Sequence, residues 1–321
     1  MAGDLTARPV ALLARAGLVL LKRSALLCVL LAVVFLGVEI LPGDAAHSIA
    51  ERGETAADLA RRRELLGLDR PLPERFWDWI SGLPLGDLGT SARGEQVTDL
   101  VSAAFPNTLL LGGLALLLTT VLSLTLGCWA ALRPDGRLDR VVSGASTAAF
   151  AIPEFVVAVA LVLVLSLWTG WLPAVTLTDA GGAPASWTML ILPALALTIP
   201  QTGWNTTVVR AALADEARAP HVETAVLDGL PPRRVLTHHV LPGALPTIAT
   251  GLATSSGVLL GGAVVVETIF NYPGVGAVLA SAVVDRDTPV VAGVTALAGA
   301  VITCALLAAD LVRGLVTGGV R

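Results

Sequence analysis

The chain has a single lysine, Lys22, set between Leu21 and Arg23. A phosphate-binding loop needs Gly-Lys followed by Ser or Thr. That motif is missing, so the chain is not expected to hydrolyse ATP itself, and no catalytic residue is assigned. Charge is scarce: 14% of residues are charged, against about 25% in ordinary soluble domains. The net charge of −4 is too small to identify a partner; it argues mildly against nucleic-acid binding, which usually goes with a concentrated basic face. Cys28, Cys128 and Cys304 all fall in apolar stretches without metal-type spacing. They read as small packing residues, with no disulfide framework. His47, His221, His238 and His239 form no i, i+4 pair, so no metal site is expected. No internal repeat is visible. No His, Asp or Ser cluster inside the apolar stretches points to a membrane enzyme.

What the chain does have is apolar length. Of 321 residues, 55% are hydrophobic. A spanning helix takes roughly 20 mostly apolar residues. Six stretches meet or approach that, at 24–41, 106–131, 141–168, 187–210, 243–266 and 290–312. The first is short and the fourth polar in places. The expected fold is an all-α integral membrane protein with six transmembrane helices. Residues 1–23 precede the first span (24–41), and 9–22 suit a helix on the membrane surface. Basic residues before an apolar run resemble a signal peptide. The run continues to Leu41, however, and more spans follow, so an uncleaved span is expected. The loop 42–105 holds helix-like stretches at 54–66 and 73–81, with Phe76, Trp77 and Trp79. It reads as a small folded cap. The core of spans two to six occupies 106–316, with Pro106 in the first turn of span two. Pro193 and Pro200 predict kinks in span four. Trp168, Trp171 and Trp187 suit an interfacial aromatic belt.

Charge sets the expected topology. With the N-terminus inside, the inner segments hold thirteen basic residues: Arg8, Arg15, Lys22, Arg23, Arg133, Arg137, Arg140, Arg210, Arg218, Arg233, Arg234, Arg313 and Arg321. The two short outer loops, 169–186 and 267–289, hold only Arg286. Short cytoplasmic loops collect Lys and Arg. Both termini are therefore expected in the cytoplasm, in a multi-pass protein of the cell membrane.

The same topology puts a polar hairpin, 213–242, in the cytoplasm. Gly229 tolerates the left-handed conformation that ends a helix, and Pro231 and Pro232 suit the start of the next. Two short helices would make a stiff elbow. Val222, Ala225 and Val226 share a helical face, i, i+3 and i+4, and could enter a groove on a partner.

Residues Glu223-Thr-Ala225, three more, Gly229, nine more, then His239-Val-Leu241-Pro242 resemble the EAA loop of ABC importer permeases. Thr224 and His239 depart from that pattern. Leu41-Pro-Gly-Asp44, Leu66-Gly-Leu-Asp-Arg-Pro-Leu72, Gly86-Asp-Leu-Gly-Thr-Ser91, Gly170-Trp-Leu-Pro173, Glu267-Thr-Ile-Phe-Asn-Tyr-Pro-Gly-Val-Gly276 and Arg286-Asp-Thr-Pro-Val-Val291 extend the likeness. They resemble, in order, the dipeptide/oligopeptide/nickel branch and its B-type permease. The resemblance implies a MetI-like permease fold with a folded extracytoplasmic loop. It also implies a second permease subunit, two ATP-binding subunits and an external substrate-binding protein or lipoprotein. ATP and Mg would then sit in the partner subunits, and this chain would bind no cofactor. The coupling residues it implies are Val222, Glu223, Ala225, Val226, Gly229 and Pro242. The family's hairpin is usually more basic than this one, which carries Glu223 and Asp228, so a dedicated ATPase is expected.

Polar residues within spans are costly unless they face water or a partner. Glu154, after Pro153, falls near the middle of span three and is a candidate pathway residue that could meet a substrate amine. The alternative is a packing role at a subunit interface. Asn205, near the end of span four, is a second pathway candidate, or a bond within the bundle. Glu39 and Glu267 sit at span ends, where solvation at the interface is expected, as for Asp310. Gly257 and Gly261 permit close helix contact. A competing reading is an ion-coupled secondary transporter with Glu154 as proton carrier. It expects inverted repeats or matched broken helices, and the sequence shows neither.

Overall fold

The computed structural model describes residues 7–40, 43–50, 54–132 and 134–318. Leu41 and Pro42 of the first motif, Arg133, and Arg321 lie outside the described residues. So do the side chains of Arg8 and Arg15. Among the described residues the structure is helical without strands, with isolated bridges at Thr90–Gln96 and Thr178–Pro184.

The chain divides into two compact units: residues 1–101 with 281–303, and residues 102–280 with 304–321. The first contains α1 (Ala7–Ile40), α2 (Ala45–Ser48), α3 (Ala56–Leu65) and α4 (Leu72–Gly82). The surface helix expected at 9–22 is not separate; it runs unbroken into α1. Thr55 and Asp58 form a reciprocal capping box that starts α3, satisfying donors left free at a helix start. The amphipathic α4 buries Trp79 against Phe35 and Leu31 of α1, with Ala292 and Ala296 completing the cluster. Phe35 meets Phe76 edge-on at 5.5 Å. Trp79 Nε1 donates to Leu88 O at 3.0 Å, so the indole is buried without an unmet donor. Arg75 grips Glu39 with two bonds, 2.8 and 3.1 Å, and Thr288 donates to the same carboxylate at 3.0 Å. Glu39 is thus an internal tie, not the solvated end group expected.

In the second unit lie most of α5 (Val97–Ala131), then α6 (Arg137–Ala151), α7 (Glu154–Leu161), α8 (Thr188–Glu216), α9 (Pro220–Leu227), α10 (Pro232–Val235) and α11 (Leu241–Ile269). The helix α12 (Val275–Val284) begins there, and α13 (Thr288–Gly318) ends there. Pro106 does not open a helix; α5 begins at Val97 and carries Pro106 inside it. The expected third span is not continuous. It breaks at Ile152 and Pro153, where α6 and α7 meet at 95°. Proline disfavours helical backbone in the residue before it, and Ile152 is extended, ψ 122. From Val162 to Trp168 the turns widen to π-helical.

Among the described residues, four helices are long and apolar enough to cross a membrane: Leu20–Ile40, Val97–Ala131, Pro232–Ile269 and Thr288–Gly314. The bent pair α6–α7 would be a fifth. Of the six spans expected from the sequence, the described residues thus supply four, or five if the bent pair crosses as one. The remaining candidate, α8, has 29 residues, roughly 43 Å at 1.5 Å per residue, but is too polar for that measure. The reason is its position. Leu192, Ala194, Ala196, Leu197 and Thr198 are all buried, so α8 is enclosed by protein on successive faces and need not be apolar to suit lipid.

Candidate coupling hairpin and bundle interior

The hairpin grows out of the end of α8. Ala219 is extended and Pro220 opens α9, where its missing N–H costs nothing. Gly229 ends it at φ +75, a left-handed conformation that favours glycine. Gly229 N donates to Val226 O at 3.0 Å and Leu230 N to Ala225 O at 3.3 Å, closing the last carbonyls. Pro231 and Pro232 then start the return arm. That arm is not a second short helix. It continues from Pro232 to Ile269 in one apolar run, through a π-helical turn at Leu236–Val240. The turn falls just before Pro242, which cannot donate back to the preceding turn.

The two faces of α9 are now distinguishable. Val222 and Ala225 are each 3% exposed and pack with Val209, Leu213, Val235, Val240 and Ile248. Val226 is 57% and Leu227 80% exposed, and Glu223 is exposed beside them. The shared face expected for Val222, Ala225 and Val226 is therefore divided. The first two anchor the hairpin to its own chain, and only Val226 is available to a partner. Leu227, which the periodicity argument missed, is the most exposed apolar group there. Pro242 is exposed at the start of α11. His221 Nε2 lies 3.1 Å from His239 O, bridging the two arms. A cleft of about 480 Å³ opens beside the hairpin, lined by Leu213, Val222, Val226 and Val235 and by Asp139 and Arg210.

Asp139 and Arg210 are the residues that sequence reasoning did not single out. Asp139 is buried and takes two bonds from the Arg210 guanidinium, at 2.5 and 2.8 Å. Asp135 N–H and Ser143 Oγ also donate to it, at 2.9 and 3.3 Å. The sequence signal was the lone acid in Arg137-Leu-Asp-Arg140 at a helix start. Arg210 had been counted only for topology.

Inside the bundle, Asn205 is buried and donates to Ser255 Oγ at 2.6 Å and Gln201 O at 2.9 Å. It joins α8 to α11, the within-bundle alternative for this residue. Glu154 is the first residue of α7, half-buried at the break, where the positive end of the helix dipole favours a carboxylate. A Cβ placed on Gly262 would sit 3.2 Å from Glu154 Oε1, so the acid packs over bare backbone of α11. Gly261, by contrast, has open space around it. Glu267 is fully buried, contrary to the solvated role expected. Thr108 Oγ1 and Gly276 N each donate to it at 2.7 Å, and Ala277 N at 3.2 Å. Its carboxylate therefore caps α12 within the bundle. Asp310 is exposed.

The described residues thus form a mainly helical bundle with a polar, glycine-ended elbow. Residues 123–321 match the family described as "Binding-protein-dependent transport system inner membrane component", and residues 17–112 match its membrane-component N-terminal family. The chain belongs to this family. It is 31% identical over 290 residues to a probable peptide ABC transporter permease of Sinorhizobium fredii, covering 90% of this chain and 93% of that one. The glutathione transport system permease GsiC of Pectobacterium atrosepticum is 33% identical over 266 residues, covering 83% and 85%. The Escherichia coli GsiC is 34% identical over 259 residues, covering 80% and 82%. An inward-facing structure of the MetNI methionine ABC transporter superposes with a TM-score of 0.53 at 18% identity, covering 67% of this chain and 95% of that one. The fold is MetI-like, and the chain is the permease component of an ABC importer. ATP hydrolysis belongs to separate subunits of such systems. The ion-coupled alternative is set aside by this membership.

Proposed function

We propose that this subunit pairs with a second permease, is driven by two ATP-binding subunits carrying ATP and Mg, and receives substrate from an external binding protein or lipoprotein. The substrate class is peptides or glutathione-like peptide conjugates, by analogy with the named relatives. The carrying observation is the division of α9: a buried anchor, Val222 and Ala225, under an exposed partner face, Glu223, Val226 and Leu227. An elbow fixed to the bundle transmits force, where a flexible loop would absorb it. Both termini and the hairpin face the cytoplasm in this reading, and α8 is the sixth crossing at the bundle centre. The loop 42–105 is the extracytoplasmic cap, and 106–316 with its hairpin 213–242 the permease core. Glu154, at the break, is the pathway residue, and Asn205 supports the pathway wall from behind. Gly229 sets the elbow angle, and Pro242 starts the return helix into the bundle.

The test is reconstitution of the full complex in proteoliposomes with labelled glutathione and dialanine. Accumulation that needs ATP and the binding protein supports the reading. Accumulation that persists without ATP and collapses with the proton gradient contradicts it.

A further inference from the structure

Two contacts hold α6 against α8, and they share one register. Asp139 meets Arg210 through the two-bond ion pair. A Cβ on Gly203 would collide with Ser146 O and Phe150 N, so there the backbones touch. From Asp139 to Ser146 the chain rises by about two turns, and from Arg210 to Gly203 it descends by the same amount. The helices are therefore antiparallel and pinned at both ends of a two-turn stretch. Arg210 is the pin nearer the hairpin. The last turns of α8 beyond it, Ala212 and Leu213, share a core with Val222 and Ala225 of α9. At the far end α6 runs to the 95° break and Glu154.

We infer that the Asp139–Arg210 pair is the strut that carries displacement of the hairpin into α6, and so to the break at Ile152–Pro153. This rests on the hairpin being the handle of an ATP-binding subunit. The chemistry suits the task. An arginine–carboxylate fork fixes distance and orientation together, which a single point charge does not. Asp139 is further fixed by Asp135 N–H and Ser143 Oγ, so it does not swing. Backbone packing at Gly203 holds the far end of that stretch against sliding. The fork forbids that at the end where force enters. Asp139 and Arg210 are positioning residues: neither needs to touch substrate or nucleotide.

The experiment uses the whole complex in nanodiscs, with Cys28, Cys128 and Cys304 replaced and spin labels at exposed Val159 on α7 and Val258 on α11. The probe is ATP with vanadate, so no substrate need be known. In the parent the label distance is expected to shift on trapping. In Arg210→Lys, which keeps the charge and loses the fork, the shift is lost while the folded complex still hydrolyses ATP at the parent rate; its melting temperature falls, as the loss of a buried fork requires. Asp139→Asn gives the same loss. The double variant Asp139→Arg with Arg210→Asp restores the shift at least in part. A shift retained in Arg210→Lys overturns the strut. So does a fall of hydrolysis in parallel with it, since that is what a general loss of assembly produces. A parent complex that neither hydrolyses ATP nor shifts would instead strike the coupling reading itself.

Discussion

Thr108 on α5 donates to Glu267 on α11 at 2.7 Å across a sequence separation of 159 residues. The same hydroxyl accepts from Val275 N at 2.9 Å, while Glu267 accepts from Gly276 and Ala277 N–H. Three segments thus meet on one buried carboxylate. Gly274 and Gly276 are required beside it, since a Cβ on either would collide with the Glu267 carboxylate. Thr108→Val keeps the shape and removes both bonds of the hydroxyl. Leaving a buried carboxylate oxygen and an amide unmet costs about 3 kcal/mol. Thermal unfolding of the purified complex checks this, and an unchanged midpoint contradicts it.

The divided face of α9 predicts two different failures. Val222→Ala removes buried methyl groups, costing about 2 kcal/mol of stability, visible as a lowered melting temperature. Leu227→Glu sits in water in the isolated subunit and leaves that temperature alone. It is expected to abolish co-purification of the ATP-binding subunits.

Much of this was legible beforehand, and the residues show why. Gly229 between an apolar-faced helix and two prolines announces an elbow in any context, because its φ requirement is local. The helices at 54–66 and 73–81 were legible for the same reason, their caps and amphipathic spacing being short-range. The orientation of α9 was not, because i, i+3, i+4 spacing groups Val222, Ala225 and Val226 without saying where the bundle ends. Glu267 looked solvated because it stands at the end of an apolar run. Only folding brings Thr108 and the start of α12 around it. The break at Pro153 was signalled by proline and masked by apolar residues on both sides.

Two glycines should respond oppositely. Gly203→Ala places a methyl against the backbone of α6 and forces the pair α6–α8 apart. Gly261→Ala meets open space within this chain. The first is expected to reduce folded yield in membranes by most of its value; the second is expected to leave the isolated subunit unaffected. A loss of permease pairing in the second would locate the partner on that face. Fluorescence-detected size exclusion measures both.

Asp287 predicts a pH dependence. Burial raises its pKa above the ordinary 3.8, partly offset by N–H groups of Ala92 and Val290; Asp285 adds to the rise and Arg93 opposes it. The folded state therefore holds its proton more tightly than the unfolded chain does. That contribution is complete below the ordinary value and is lost as pH rises through the raised one. Stability of the parent relative to Asp287→Asn should thus improve as pH is lowered from neutral toward 4. Chemical unfolding of both at several pH values measures it; a difference independent of pH contradicts it.

Glu154→Gln is expected to change uptake across a panel of peptides while the complex still assembles. Unchanged uptake across that panel removes Glu154 from the pathway.

The most direct measurement is site-specific photo-crosslinking from Leu227 in intact membranes that contain the whole transport system. The account predicts a crosslink to an ATP-binding subunit on the cytoplasmic side. A crosslink to the external binding protein, or labelling of a Leu227→Cys variant by an impermeant thiol reagent from outside the cell, would contradict it.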